Sequence, residues 1–289
     1  MTSEQKKFIQ ENVAADVNRL LLNPPSEFKS EIKFLAEQIQ SRQKAKGKLP
    51  TWVENFDLIF PPPLSIEQCS SEQTASYKSG LIKGQLLVDL TGGMGVDCLA
   101  LSENFEQTIY VESQADLCDR FGGNAEILGR QIEVNNQSAE KFLSEFSPPE
   151  KTVFFIDPAR RDEQAKKVFR FSECTPDVNE LLNDFKKKAA KVLIKASPLI
   201  DLKQGLSELS HIVEIYVVSV KNDCKEVLFL LDFEKQPHEP IIKTINLTKR
   251  TERFDFTFSE EEFAESEFGS VDQVLLIPNS SILKAGAFK

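Results

Sequence analysis

Apolar residues in the first 70 or so positions recur at helical spacing. Phe8, Val13, Val17, Leu20 and Leu21 recur at helix spacing, and Pro24-Pro25 stop that helix. Ser26 is placed to cap a second helix carrying Ile32, Leu35, Ala36 and Ile39 on one side. The run Phe60 to Ser65, FPPPLS, predicts a rigid extended connector. From Gln85 the rhythm changes. Short apolar, often β-branched runs at 86–90, 108–112, 132–135, 153–157, 192–196, 212–219 and 226–232 alternate with longer mixed stretches. The first five are spaced for crossover helices, which predicts a parallel sheet covered on both faces. Several lack polar alternation, as strands buried on both faces do. The last two are joined by VKNDC, which predicts a hairpin and an antiparallel final strand. Beyond Asp232, EKQPHEP is a linker, PIIKTINLTKRTERFDFTF predicts strands and SEEEFAESEF an acidic helix or loop. The closing VLLIPNSSILKAGAFK predicts an apolar strand, a Pro-Asn turn and a helix start with nothing behind it to pack on. A shortened chain, or a further domain, is the expectation there.

Composition narrows the chemistry. The 289 residues are 40% hydrophobic and 28% charged, enough to bury a core. No apolar stretch approaches the ~18 residues of a membrane helix, and the N-terminus lacks a signal-peptide core, so the expected compartment is the cytoplasm. Five cysteines, with no C-x-x-C pair, fit neither a disulfide framework nor a zinc knuckle. With only His211 and His238, a serine-histidine hydrolase or a histidine-rich metal site is poorly supplied, and no metal is expected. The formal net charge of −10 argues against a whole-surface nucleic-acid binder, while leaving room for local basic faces at Arg42 to Lys48 and Lys186 to Lys188. Solvated helix ends are the favoured reading of both runs.

One stretch carries ligand chemistry. LVDLTGGMGVDCLAL places an aspartate and three glycines between two apolar runs, Leu87 to Leu101. Strand, glycine turn and helix start together make an anion- or nucleotide-binding device. A Walker A loop is excluded because no Lys-Ser/Thr follows. The dinucleotide pattern fails at its third glycine, where Cys98 stands. The spacing that fits is D-x-T-x-G-x-G, from Asp89, Thr91, Gly93 and Gly95. It resembles motif I of the class I S-adenosylmethionine-dependent methyltransferases.

Other parts of that family's pattern follow in order. Glu112 ends the second predicted strand, where a carboxylate can accept two ribose hydroxyls; a surface glutamate at a strand end is the alternative. Gln137, Ser138 and Ala139 fall where the family contacts adenine. VFFIDPARRD brings Asp157-Pro158 to the carboxyl edge of the sheet, where ligands bind. It resembles motif IV of nucleic-acid methyltransferases, except that Ala159 replaces a proline and Arg160 the aromatic that would stack on a base. Arg160 and Arg161 suit a phosphate or carboxylate, or ion pairs with nearby acids. VLIKASPLID adds Lys195 and Ser197 at the same edge, with an exposed strand-end lysine as the plain reading. Upstream, Gln73, Thr74 and Tyr77 lie on a predicted helix that would cover the cofactor or simply pack.

Taken together, SSEQTASYK, DLTGGMGVD, VES, DPARR, LIKASPLID and PNSSILKAGAFK are similar to a bacterial group of class I methyltransferases with a THUMP-like C-terminal domain. The resemblance implies an α/β Rossmann-like sheet of seven strands, mostly parallel with the last antiparallel. It implies a helical N-terminal unit (1–68), a methyltransferase domain (69–232) and a small α+β segment (233–289) that could begin a THUMP-like domain. It implies S-adenosyl-L-methionine held by Thr74, Asp89, Thr91, Gly92, Gly93, Gly95, Glu112, Ser138, Ala139 and Asp157. Catalysis would involve Asp157, Arg160 and Lys195, and the substrate would be RNA, tRNA or rRNA. A small-molecule or protein methyltransferase, a non-catalytic RNA-binding module, and pyrimidine C5 methylation through Cys174 remain as alternatives.

Overall fold

The computed structural model describes residues 1–148, 152–160, 170–266, 269–270, 274 and 277–289. The chain divides into two compact units, Met1–Ala139 and Glu140–Lys289.

The first unit opens with helices α1 (Ser3–Asn12), α2 (Val17–Leu22), α3 (Ile32–Ala45), α4 (Pro50–Glu54), α5 (Pro63–Gln68) and α6 (Glu72–Ser79). The single helix expected up to Leu21 is therefore two. Asp16 breaks it, because its side chain accepts from Asn18 N at 2.9 Å and caps α2. Ser26 starts only a 3-10 turn, and α3 begins at Ile32. The proline run is extended only to Pro62, since Pro63 occupies the first turn of α5. Strands β1 (Gly84–Asp89), β2 (Phe105–Val111) and β3 (Glu133–Asn135) are parallel and lie in the order β3-β2-β1. They are joined by α7 (Val96–Leu101) and α8 (Ala115–Ile127), the βαβ rhythm expected from the spacing.

Arg42 corrects the idea of an exposed basic run at 42–48. It is fully buried, donating to Leu58 O at 2.7 Å and Gln38 Oε1 at 3.1 Å, with its guanidinium 4.5 Å from the Phe60 ring centroid. Burial lowers its pKa to about 10.

In the second unit, strands β4 (Thr152–Ile156), β7 (Lys191–Ala196), β8 (Ile212–Val220), β9 (Asp223–Asp232), β10 (Ile241–Leu247) and β11 (Glu252–Phe256) lie in the order β4-β7-β9-β8-β10-β11. Two short strands between β4 and β7, β5 (Ala159–Arg160) and β6 (Cys174–Thr175), form a separate antiparallel ladder. β4 and β7 are parallel, and β9 runs antiparallel to both its neighbours. Lys221 and Asn222, with φ of 51° and 65°, make the tight β8–β9 turn that VKNDC predicted. Among the described residues the main sheet strands number nine rather than seven. The extra pair arises because β10 adds in parallel to β8, and β11 pairs antiparallel with β10. Four more helices, α9 (Ala139–Glu145), α10 (Val178–Lys188), α11 (Leu202–Glu208) and α12 (Phe258–Phe263), precede the closing helix. That helix, α13 (Ser280–Ala285), is not left without support: it lies against β8 and β10, Ser280 Oγ is 2.8 Å from Ser219 Oγ, and Lys284 Nζ donates to Ile200 O at 2.6 Å. Within the apolar run just before it, 274–277, residues 275–276 lie outside the described residues.

Candidate active site

The parallel strands of the first unit end together on one edge. β1 delivers Asp89, β2 delivers Glu112 one residue past its end, and β3 ends at Asn135. Between β1 and α7 the loop Leu90 to Gly95 turns under tight local control. Thr91 N donates to Asp89 Oδ1 at 3.1 Å, an aspartate turn that fixes the first bend. Gly92 N donates to Val111 O at 2.9 Å and Gly95 N to Gly92 O at 2.8 Å.

Two of the three glycines answer to aromatic rings. Tyr110 of β2 and Phe121 of α8 stack with centroids 3.8 Å apart and planes 9° apart. A Cβ on Gly92 would lie 2.0 Å from Tyr110 Cε2, and one on Gly95 2.1 Å from Phe121 Cδ2. Gly95 also has a φ of +84°, in the left-handed region. Gly93 is different: its φ is +54°, but a Cβ there would meet nothing nearer than Thr91 O at 3.8 Å. Its carbonyl accepts from Tyr110 Oη at 2.6 Å, so the ring platform grips the loop from below. Burial first, then the neighbouring carboxylates Glu112 and Asp89, push the Tyr110 hydroxyl far above its ordinary range and keep it a donor.

Glu112 is a buried acceptor at the mouth of this loop. Oε2 accepts from Gly93 N at 3.0 Å, and Oε1 accepts from Gln114 N at 2.9 Å and Ser113 Oγ at 3.1 Å. Its backbone is tied to the end of β3, as Glu112 N donates to Asn135 O at 3.1 Å and Asn136 Nδ2 donates to Glu112 O at 2.9 Å. The carboxylate expected at a strand end is thus linked to the glycine loop by one hydrogen bond. Ala139 is buried and Ser138 exposed, at the start of α9. Thr74 is buried on α6, but its hydroxyl turns back to its own helix, with Oγ1 3.1 Å from Ser71 Oγ and 3.2 Å from Ser71 O. Gln73 is exposed and Tyr77 half-buried.

The second unit carries its own polar group at a strand edge. Asp157 directly follows β4, and Lys195 lies one residue from the end of the adjacent parallel β7. Lys195 Nζ donates to Asp157 Oδ2 at 2.5 Å. The lysine is therefore a buried partner of the aspartate rather than an exposed strand end, and the aspartate keeps 34% of its side chain exposed. Arg160 pairs through its backbone with Cys174; its side chain and Arg161 lie outside the described residues. Cys174 is fully buried, and its thiol donates to Arg170 O at 3.4 Å. A cysteine nucleophile must be reachable, so this burial counts against pyrimidine C5 chemistry. Among the described residues no His, Cys, Asp or Glu group is arranged to hold a metal ion, and no helix is long and apolar enough to cross a membrane.

A solved structure matches nearly the whole chain. The "putative methyltransferase from Porphyromonas gingivalis W83" aligns with 99% of this chain and 72% of its own length, at 30% sequence identity and a TM-score of 0.86. The chain belongs to this methyltransferase family. More distant matches include methyltransferase yhhF of Escherichia coli, likewise named putative (18% identity, 56% of this chain, 84% of its own, TM-score 0.39), and M. capricolum TrmK in complex with S-adenosyl-homocysteine (14%, 56%, 68%, 0.44). No family model and no curated protein matches the chain.

Several residues of this methyltransferase escaped the sequence reading. The Tyr110–Phe121 platform is one. Asn136, which clips Glu112 to β3, is another. A third is a buried group behind α7, where Lys78 Nζ lies 3.2 Å from Asp97 Oδ1 and Ser70 Oγ donates to Asp97 Oδ2 at 2.6 Å. It fastens α6 to the helix that follows the glycine loop.

Proposed function

We propose that this methyltransferase uses S-adenosyl-L-methionine, held by the first unit, and transfers the methyl group to RNA. The observation that carries the cofactor is the single hydrogen bond from the Gly93 amide to the Glu112 carboxylate at the parallel strand edge. A buried carboxylate with two oxygens beside an open, Cβ-free backbone is the acceptor that a ribose diol requires. Glu112 would take the ribose hydroxyls, Gly93 and Thr91 would pass beside the sugar, and Asp89 would face the amino-acid end. Ser138 and Ala139 would border the adenine. Thr74 holds its helix end rather than reaching the ligand. Bound S-adenosylmethionine supplies an activated methyl group whose sulfur leaves as a neutral thioether, so the protein has mainly to align and deprotonate the acceptor. For Asp157 the resemblance to motif IV implies the role of orienting the acceptor and accepting its proton.

RNA as acceptor rests on the resemblance to methyltransferases with a THUMP-like domain. The net charge of −10 favours a second reading, a small-molecule or protein acceptor. Calorimetry of S-adenosylmethionine against wild type and Glu112→Gln tests the cofactor. Losing charge-assisted hydrogen bonds worth about 1.5–3 kcal/mol should weaken binding by roughly tenfold or more. Equal affinities would remove Glu112 from the site. Methyl label from the cofactor, followed into RNA, protein and small molecules of cells lacking the gene, separates the acceptors.

A further inference from the structure

The second unit carries unpaired positive charge at two neighbouring turns. β7, β8 and β10 run in one direction, since β9 is antiparallel to β7 and β8 while β10 is parallel to β8. Their carboxyl ends therefore share an edge, the one at which Asp157 follows β4. The β8–β9 turn carries Lys221 and the β10–β11 loop carries Lys249 and Arg250, all exposed. The two turns touch. Lys221 N donates to Leu247 O at 3.1 Å, and Asn222 N donates to Asn246 Oδ1 at 2.9 Å. Each is also braced by a side chain: Ser280 N donates to Asn222 Oδ1 at 2.7 Å, and Thr248 Oγ1 donates to Arg250 O at 2.6 Å.

Among the described residues the side chains of Lys221, Lys249 and Arg250 have no ion-pair partner. Two carboxylates lie beside them. Asp223 pairs with Lys225, and Glu252 Oε2 accepts from Asn246 Nδ2 at 2.8 Å and Asn279 Nδ2 at 3.2 Å. Set against these two, the four cations Lys221, Lys225, Lys249 and Arg250 leave a surplus of two positive charges. Arg253 and Asp255 on β11 cancel, as do Lys284 and Glu226, the further charged neighbours of Cys224. The surplus stands in a chain of net charge −10. Other basic side chains are engaged elsewhere. Arg42 is buried, Lys44 pairs with Glu67, and Lys188 donates to Leu143 O. Lys186 and Lys187 end α10, which leads to the start of β7 at the opposite edge, where they complement the helix dipole. Lys221 is unusual in its backbone too. Its φ of 51° costs a residue other than glycine about 1–2 kcal/mol, and such turns favour Gly, Asn or Asp. The fold supplies no reason for a lysine there.

We propose that these two turns, through Lys221, Lys249 and Arg250, bind the phosphate backbone of the RNA. The proposal rests on the RNA reading above. An ammonium or guanidinium without an internal carboxylate partner is the group that a phosphate engages. In the order β4-β7-β9-β8-β10, β8 and β10 lie three and four strands from β4. At about 4.8 Å per strand the turns stand about 14 and 19 Å along the edge from Asp157. Contacts so placed hold the strand in register some nucleotides away and read no sequence.

Filter binding of the full chain to bulk tRNA, and separately to bulk rRNA, from a strain lacking the gene provides the test. It is repeated over about 50 to 200 mM salt, and log affinity is plotted against log salt. Each phosphate contact removed should flatten the slope by about 0.7–0.9 and weaken binding about five- to eightfold near 0.1 M salt. The triple variant Lys221→Asn/Lys249→Gln/Arg250→Gln should therefore lose roughly 2–3 in slope and about 100- to 500-fold in affinity. Asn suits the left-handed turn at 221, so the urea midpoint should hold, as should calorimetric affinity for S-adenosylmethionine. Arg250→Lys keeps the charge and should keep the slope. Lys33→Gln, an exposed cation of the first unit, should change neither slope nor affinity. A triple variant with the slope and affinity of wild type would overturn the proposal and leave the RNA reading standing. So would a loss as large in Lys33→Gln. A wild-type protein that binds neither RNA at any salt, yet binds the cofactor, would overturn the RNA reading and this proposal with it.

Discussion

The glycine loop offers a prediction whose magnitude can be worked for each glycine separately. Gly92→Ala meets only a steric cost, with the new Cβ 2.0 Å from Tyr110 Cε2 and 2.4 Å from its Cδ2. That ring cannot swing away, because it stacks on Phe121 at 3.8 Å and its hydroxyl is bonded to Gly93 O. Overpacking of this kind costs about 1–3 kcal/mol. Gly95→Ala meets a similar clash, 2.1 Å from Phe121 Cδ2, and adds a left-handed φ of +84° worth about 1–2 kcal/mol. Its total is roughly 2–5 kcal/mol. Gly93→Ala has the φ cost alone, about 1–2 kcal/mol, since its Cβ side is open. Stability should therefore fall in the order Gly93→Ala least, Gly92→Ala intermediate, Gly95→Ala most. Urea unfolding followed by tryptophan fluorescence suits this, because Trp52 belongs to the same core cluster as Tyr110 and Phe121. A stable Gly92→Ala protein, or a Gly93→Ala protein as damaged as Gly95→Ala, would refute the idea that the rings dictate these glycines.

Three further predictions concern buried side chains. Lys78→Met leaves the buried Asp97 carboxylate without its ammonium, and breaking such a pair should cost about 3–5 kcal/mol by denaturant unfolding; the double variant Lys78→Met/Asp97→Leu should regain much of it, and no regain would mean the lysine acts otherwise. Iodoacetamide at pH 8, read by peptide mass spectrometry, should spare Cys98 and Cys174 in the native protein and modify them after unfolding. Both are fully buried, and burial together with Asp89 and Asp97 pushes the Cys98 thiol up, so it stays protonated there; rapid native labelling of Cys174 would reinstate it as a nucleophile. Tyr110→Phe keeps the stack but loses the bond to Gly93 O, about 0.5–1.5 kcal/mol, and calorimetry should show cofactor affinity falling by roughly two- to tenfold; unchanged affinity would mean the loop does not need that anchor.

What was legible in the sequence depended on how local its cause is. The strands of both units stood out because burial on both faces leaves unbroken apolar runs, as Val153 to Ile156 and Val192 to Ile194 show. The break between α1 and α2 did not, because one hydrogen bond from the Asp16 side chain outweighs an apolar pattern that continues through it. Arg42 was misread because charge predicts exposure, while its burial depends on carbonyls at Asn55 and Leu58 that only the folded chain brings close. Asp157 and Lys195 were visible as single letters, but their ion pair follows from β4 and β7 being neighbours, a fact of topology. The glycine motif was recognised from its spacing and attributed wholly to a ligand. The structure divides that cause. Gly92 and Gly95 are glycine because Tyr110 and Phe121 lie against them, and a ligand need not be invoked for either. Gly93 has no ring against it: its left-handed φ of +54° accounts for the missing side chain, its Cβ side is open, and its amide is offered to Glu112. The pattern D-x-T-x-G-x-G is in this chain partly a packing rule for the rings beneath it, and the case for a bound cofactor rests on Gly93 and Glu112 rather than on the number of glycines.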